Sequence, residues 1–354
     1  MIEAWGEWNE YFCGVLTGEI NESSLKSVSY YQKYRPDKID DLDLTEVREQ
    51  LSKILGTKNI SHAYLFVGPR GSGKTSAARI LARVVNCQNR KEGIYQEPCG
   101  KCEACKSIKT GSCVDVLEID AASHGLVDDI RDLREKIRLA PVVTEKKVYI
   151  IDEVHMMSNS GFNALLKTLE EPPSHAIFIL CTTEDHKVPE TIASRCVKVL
   201  FKKGSRTEVK RALQKAVKGE KLKIGEKTLD LLAGVVDGSL REAHKVLEQL
   251  AIGGKEIDEE SVRGVLGLVR GVTAAKLIGA IEKGEGGEVL EIFREIGKID
   301  VDPTAFVKEM LSILREKIYV QVGERQPVGQ FEKEMVTGLI EVSVAVKSSP
   351  IPML

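Results

Sequence analysis

"AYLFVGPRGSGKTSAARILARVV", residues 63–85, carries the decisive reading of this chain. It opens on an uninterrupted apolar run, closes on a helical pattern, and between them places G-x-x-x-x-G-K-[ST], Gly68 to Thr75. The order strand, glycine loop, helix N-terminus lets backbone N–H groups converge on phosphate oxygens, and the helix dipole adds a favourable field there. Gly68, Pro69, Arg70, Gly71, Ser72, Gly73, Lys74, Thr75 and Ser76 are therefore the expected phosphate cradle. Lys74 is expected to reach the β- and γ-phosphates, and Thr75 to ligate Mg²⁺.

Further apolar runs follow: "VDVLEID" (114–120), "KVYIIDEV" (147–154), "IFILCTT" (177–183) and "VKVLF" (197–201). Such nearly continuous runs belong to parallel strands covered by helices on both faces. Helical patterns lie between them, for example Leu126, Ile130, Leu133 and Ile137. The expectation is a doubly wound α/β core. In "VYIIDEVH" four apolar residues bury a strand and Asp152 emerges at its carboxyl end, where ligands of such sheets bind. Asp152 is expected to orient Mg²⁺ through water, and Glu153 to act as general base on the attacking water. "CTTED" sets Thr182 and Thr183 at the end of the next strand.

After residue 204 the strands are expected to stop. "SRTEVKRALQKAVK", "EKTLDLLAGVV", "SLREAHKVLEQLA" and "DEESVRGVLG" read as four helices, and an all-helical stretch runs from about 270 onward. The organisation is thus an extension (1–29), an α/β core (30–204), a first helical region (205–268) and a second (269–354). In the extension, Trp5, Trp8, Phe12 and Leu16 recur at helical spacing. Short isolated helices are marginal, so a plain extension is favoured over a partner-binding helix.

Composition narrows the classes. The 354 residues are 42% hydrophobic and 29% charged with a formal net charge of −2, which leaves nucleic-acid binding to a local basic face. No run approaches the ~18 apolar residues of a membrane span. The acidic start "MIEAWGEWNE" argues against a secretory signal, so the cytoplasm is the expected compartment.

Four of the eight cysteines fall in "CQNRKEGIYQEPCGKCEAC", residues 87–105. Their spacing, Cys87-x11-Cys99-x2-Cys102-x2-Cys105, suits one tetrahedral ion held by four thiolates. Zn²⁺ is preferred to an iron–sulfur cluster, because the x3 fourth cysteine and following proline of the ferredoxin pattern are absent.

Taken in order, these motifs, with "YQKYRP" (31–36), "LEIDAASHG" (117–125), "VYIIDEVHMMSNSGFNALLKTLEEPP" (148–173), "ASRC" (193–196) and "DGSLREA" (237–243), resemble a known family. It is that of the gamma/tau ATPase subunits of bacterial DNA polymerase III clamp loaders, AAA+ proteins. The resemblance implies an AAA+ P-loop core with an inserted zinc module, a helical lid and a helical collar. It implies ATP, Mg²⁺ and Zn²⁺ as cofactors. It places Thr183 at the sensor-1 position, Arg195 as an arginine finger acting in trans, Arg241 as sensor 2, and Arg35 and Pro36 around the adenine. The implied partners are the other subunits of a hetero-pentamer, the beta sliding clamp, and primed DNA held through its phosphates. "HGLVDD" (124–129) is the candidate DNA contact. "IDDLDLTEV" (39–47) departs from the family's usual aromatic-then-"VGQ" stretch, and the collar is expected to be incomplete and gamma-like rather than tau-like. Two rival readings are a non-hydrolysing stator similar to delta prime and another AAA+ DNA motor; the intact loop and acidic pair oppose the first, the cysteine module the second.

Overall fold

The structure, a computed structural model, describes residues 29–90, 94–123, 137–266, 271–296, 303–323 and 326–348. The helical spacing of Trp5 to Leu16, most of the Leu126–Ile137 helix and the "HGLVDD" contact lie outside the described residues.

Five parallel strands form the central sheet: β1 (Ala63–Val67), β2 (Val116–Asp120), β3 (Lys147–Asp152), β4 (Ala176–Thr182) and β5 (Val197–Leu200). β1 and β4 are buried along their whole length, and β3 up to its last residue. Their alternate side chains enter two hydrophobic clusters, one on each face. Tyr64, Phe66, Val148, Ile150, Ile177 and Ile179 lie in the first. Leu65, Val67, Tyr149, Ile151, Phe178 and Leu180 lie in the second. The continuous apolar runs are thus the signature of a sheet covered on both sides.

The strand order is β2-β3-β4-β1-β5. β4 is inserted between β1 and β3, so the carboxyl ends of all three stand side by side. Val67 pairs with Thr182, and the Gly68 N–H donates to the Thr182 carbonyl at 3.1 Å. The helix Lys74–Val85 starts directly from the glycine loop.

The first helical region holds helices Arg206–Glu220, Glu226–Val235, Leu240–Ile252 and Glu259–Val265 around Leu213, Leu232, Leu247 and Val262. Ser205 and Glu208 close a capping box on the first of them. One expectation needs correction: strand structure does not end at 204. Lys223–Ile224 and Glu256–Ile257, the short strands β6 and β7, pair in parallel. Two residues are too few to show the alternation by which a strand is read. The second region holds helices Gly271–Lys283, Gly286–Ile296, Pro303–Gly323 and Gln330–Ser348 around Leu277, Ile292, Met310 and Leu314. Among the described residues no helix is long and apolar enough to cross a membrane.

Candidate active site

A cleft of about 430 Å³ opens at the carboxyl edge of the sheet, lined by Arg70 to Ser76, Asp152 and Glu153, by Arg35 and Pro36, and by Leu240 and Arg241. The loop needs its glycines for distinct reasons. A Cβ on Gly68 would fall 2.1 Å from the Phe201 carbonyl oxygen, so the backbone itself passes too close for any side chain. Gly71 has φ +79°, and a Cβ there would meet the Ser239 hydroxyl at 2.4 Å. The start of the helix Leu240–Ile252 therefore rests directly on the loop.

Lys74 is 6% exposed, and its ammonium donates to the carbonyls of Gly68 at 2.8 Å and Pro69 at 3.0 Å. Burial lowers its pKa. The Thr75 hydroxyl donates to Asp152 Oδ2 at 2.6 Å, joining the loop to the end of β3. Thr75 and Asp152 thus present adjacent oxygens, the hard donor set that Mg²⁺ takes alongside phosphate and water.

Glu153 sits in the left-handed region at φ 48°, a conformation that non-glycine residues enter at a cost. Its Oε2 accepts the Thr183 hydroxyl at 3.1 Å, which joins the end of β3 to the residue after β4. His155, not singled out from the sequence, laces the same region. Its side chain is 6% exposed, with Nδ1 3.5 Å from Glu153 Oε2 and Nε2 3.3 Å from Glu184 Oε1. Nδ1 also lies 3.1 Å from the buried Thr182 hydroxyl. The signal was available in the final letter of "DEVH", but a histidine there has no meaning until β4 is known to lie beside β3.

Arg241 lies with its guanidinium 4.8 Å from the ring centroid of Tyr31, another cleft residue that went unnoticed. Arg35 is half-buried; burial first, and the nearby Arg79 second, lower its pKa. Its Nε is buried without a hydrogen-bond partner among the described residues. Arg195 is not brought to this cleft. It precedes β5, whose first residue, Val197, pairs with Tyr64 near the start of β1. It therefore stands at the amino end of the sheet, donating to Glu170 Oε1 at 2.8 Å and the Thr191 carbonyl at 2.7 Å.

Comparison with known proteins joins these observations. A family model described as "DNA polymerase III, delta subunit" matches residues 44–205, and one described as "DNA polymerase III subunits gamma and tau domain III" matches 257–345. The chain is 42% identical over 290 residues to DNA polymerase III subunit tau of Bacillus subtilis, covering 81% of this chain and 51% of that one. It is 40% identical to subunit tau of Escherichia coli, covering 82% and 45%. Against DNA polymerase III subunit gamma of Buchnera aphidicola it is 37% identical, covering 80% of this chain and 78% of the other. The chain belongs to the DNA polymerase III gamma/tau family. It spans about half the length of the tau relatives. Its fold is that of AAA+ proteins: a Thermotoga maritima RuvB point variant superposes with a TM-score of 0.50 at 17% identity, over 75% of this chain and 85% of that one.

In this gamma/tau chain the four clustered cysteines do converge. The sulfurs of Cys87, Cys99, Cys102 and Cys105 all lie within 4.8 Å of one another. Thiolates around one tetrahedral Zn²⁺ stand about 3.8 Å apart, so the set fits that ion with little adjustment. Backbone N–H groups already point at the sulfurs, Lys101 and Cys102 onto Cys99 at 3.4 and 3.3 Å, and Cys105 onto Cys102 at 3.4 Å. Burial opposes the Cys99 thiolate, yet those N–H groups together with the Cys102 and Cys87 thiols outweigh it and bring its pKa down to about 6. For Cys105 burial prevails and the pKa rises. The helix Glu103–Thr110 grows from the cluster, with Cys102 as its N-cap.

Proposed function

We propose that this chain is the ATP-hydrolysing subunit of a replicative clamp loader, binding ATP in the cleft and using it to open and load a sliding clamp onto primed DNA. One observation carries the reading: the Thr75–Asp152 and Thr183–Glu153 hydrogen bonds draw loop, β3 and β4 into one constellation around the place a γ-phosphate would occupy.

In this reading Lys74 exchanges its loop carbonyls for the β- and γ-phosphates, and the N–H groups of Gly71 to Thr75 follow the phosphate chain. Thr75 and Asp152 hold Mg²⁺, which would neutralise charge on the phosphates. Glu153 accepts the proton of the attacking water, and Thr183 holds the Glu153 carboxylate beside that water. Arg241, from the lid, leaves the Tyr31 ring for phosphate oxygens of the same subunit. Arg35 and Pro36 form the base side of the cleft. Arg195, at the far end of the sheet, serves the cleft of a neighbouring subunit in a hetero-pentamer. Cys87, Cys99, Cys102 and Cys105 hold a structural Zn²⁺. DNA is held through its phosphates, which tolerates any sequence.

The test is ATP hydrolysis by the complex reconstituted with its partner subunits, with and without sliding clamp and primed DNA. Stimulation by both together, abolished by Lys74→Ala, is the expected result. No ATP binding at all would favour the stator reading, and stimulation by DNA that ignores the clamp would favour another AAA+ motor.

A further inference from the structure

The four sulfurs lie outside the residues that line the cleft, yet their module grips one wall of it. The segment 35–44 lines the cleft at both its ends, through Arg35 and Pro36 and through Leu42, Asp43 and Leu44. The module holds its middle. The Glu97 carboxylate accepts the N–H of Ile39 on Oε2 at 2.9 Å and the N–H of Asp40 on Oε1 at 3.0 Å. Lys109 pairs with Asp37, which is also held by Arg83 of the loop helix. Ile39, Leu42, Tyr95, Ile108 and Cys113 share one hydrophobic cluster, so the two parts have a common core.

Both arms of this grip hang on the sulfur cluster. Glu97 lies two residues before Cys99, and Lys109 one turn beyond Cys105 on a helix capped by Cys102. The far end of the segment is tied to the lid, with Lys215 on Asp43 Oδ1 at 2.7 Å. Backbone N–H groups that converge on one carboxylate are charge-assisted bonds, and their geometry dictates where the segment can stand.

We propose that Glu97 is a positioning residue for nucleotide binding, seconded by Lys109. Through it the cysteine module supports the base-side wall of the cleft, and affinity for nucleotide depends on a metal site that contacts none. The inference rests on the cleft being a nucleotide site.

The experiment compares the full chain with Glu97→Ala and Glu97→Gln. It measures equilibrium binding of a fluorescent ATP analogue, zinc content, hydrogen exchange over 37–44, and KM against kcat in the reconstituted complex. Glu97→Ala should raise Kd and KM by roughly 5-fold or more, within the 5- to 150-fold that is usual for coupling between two sites, with zinc retained and kcat held. Exchange over 37–44 should accelerate. Glu97→Gln can accept one of the two N–H groups and should fall between. An unchanged Kd in a zinc-replete Glu97→Ala protein overturns the proposal; a Kd that rises only in proportion to zinc lost overturns the assignment to Glu97 and leaves only the dependence on the module. A wild-type chain that binds no nucleotide, like its Lys74→Ala variant, would overturn the functional reading as well; binding that is equal in wild type and Glu97→Ala overturns this inference alone.

Discussion

The nucleotide cleft and the cysteine module occupy neighbouring parts of one domain, yet they are built in opposite ways. The cleft collects residues from Tyr31 to His244, while Arg195 stands at the other end of the sheet on Glu170. The module draws its four cysteines from nineteen residues and turns its own N–H groups onto them. On the proposed reading the first is a partial site that a neighbouring subunit completes, whereas the sulfurs of the second converge within one short segment. The proposed function thus makes the chemistry of the cleft depend on a neighbour, while the proposed zinc site needs none.

The sharpest way to break that contrast is Arg195→Ala. Arginine fingers contribute about 10³–10⁵ to kcat in phosphoryl transfer. The variant should leave nucleotide affinity of the isolated chain near wild type and lower hydrolysis by the reconstituted complex by a factor of that order. Steady-state hydrolysis of the two preparations, side by side with equilibrium binding, is the check. Hydrolysis surviving in the complex would mean that the Glu170–Arg195 pair is only a surface contact, worth less than about 1 kcal/mol.

The converse test is Cys102→Ser, which should act in the isolated chain and need no partner. Removing one thiolate from a closed tetrahedral set releases the ion, and the loss falls in the class of about 4 kcal/mol that follows loss of a metal. Zinc content and urea unfolding measure it. A variant that keeps one zinc per chain and its full stability would show that the sulfurs are packed side chains and not ligands.

Legibility from sequence follows the same division. The phosphate loop, the Asp-Glu pair and the cysteines were readable because each is contiguous and its spacing has a mechanical meaning. The β1, β3 and β4 runs were readable because burial on both faces removes polar letters. Tyr31 against Arg241, Glu97 against Ile39 and His155 against Glu184 were not readable. Such contacts depend on β4 lying between β1 and β3 and on how segments cross, and no local periodicity encodes either. The β6–β7 pair escaped for a simpler reason, its length of two residues each.

The smallest predicted effect supplies a control that belongs to neither site. Asp115 is 1% exposed and accepts the N–H groups of Val142, Val143 and Thr144 at 2.8, 2.7 and 2.8 Å. Burial alone would raise its pKa, but those three N–H groups, helped by the Thr144 hydroxyl, outweigh burial and lower it. A carboxylate with a depressed folded-state pKa contributes stability that is fully present above its unfolded value, near 3.9, and is lost as pH falls through the folded value. Asp115→Asn replaces one acceptor oxygen by a donor and strands N–H groups, which costs about 1–3 kcal/mol. Urea unfolding should show that deficit constant from about pH 8 to pH 5 and shrinking below about pH 4, where the unfolded wild-type carboxylate protonates ahead of the folded one. Nucleotide affinity and zinc content should both hold, because no bond of Asp115 reaches either site. A fall in either would mean that cleft and module are sensitive to any loosening of the core, and the specific grip assigned to Glu97 would lose its distinction.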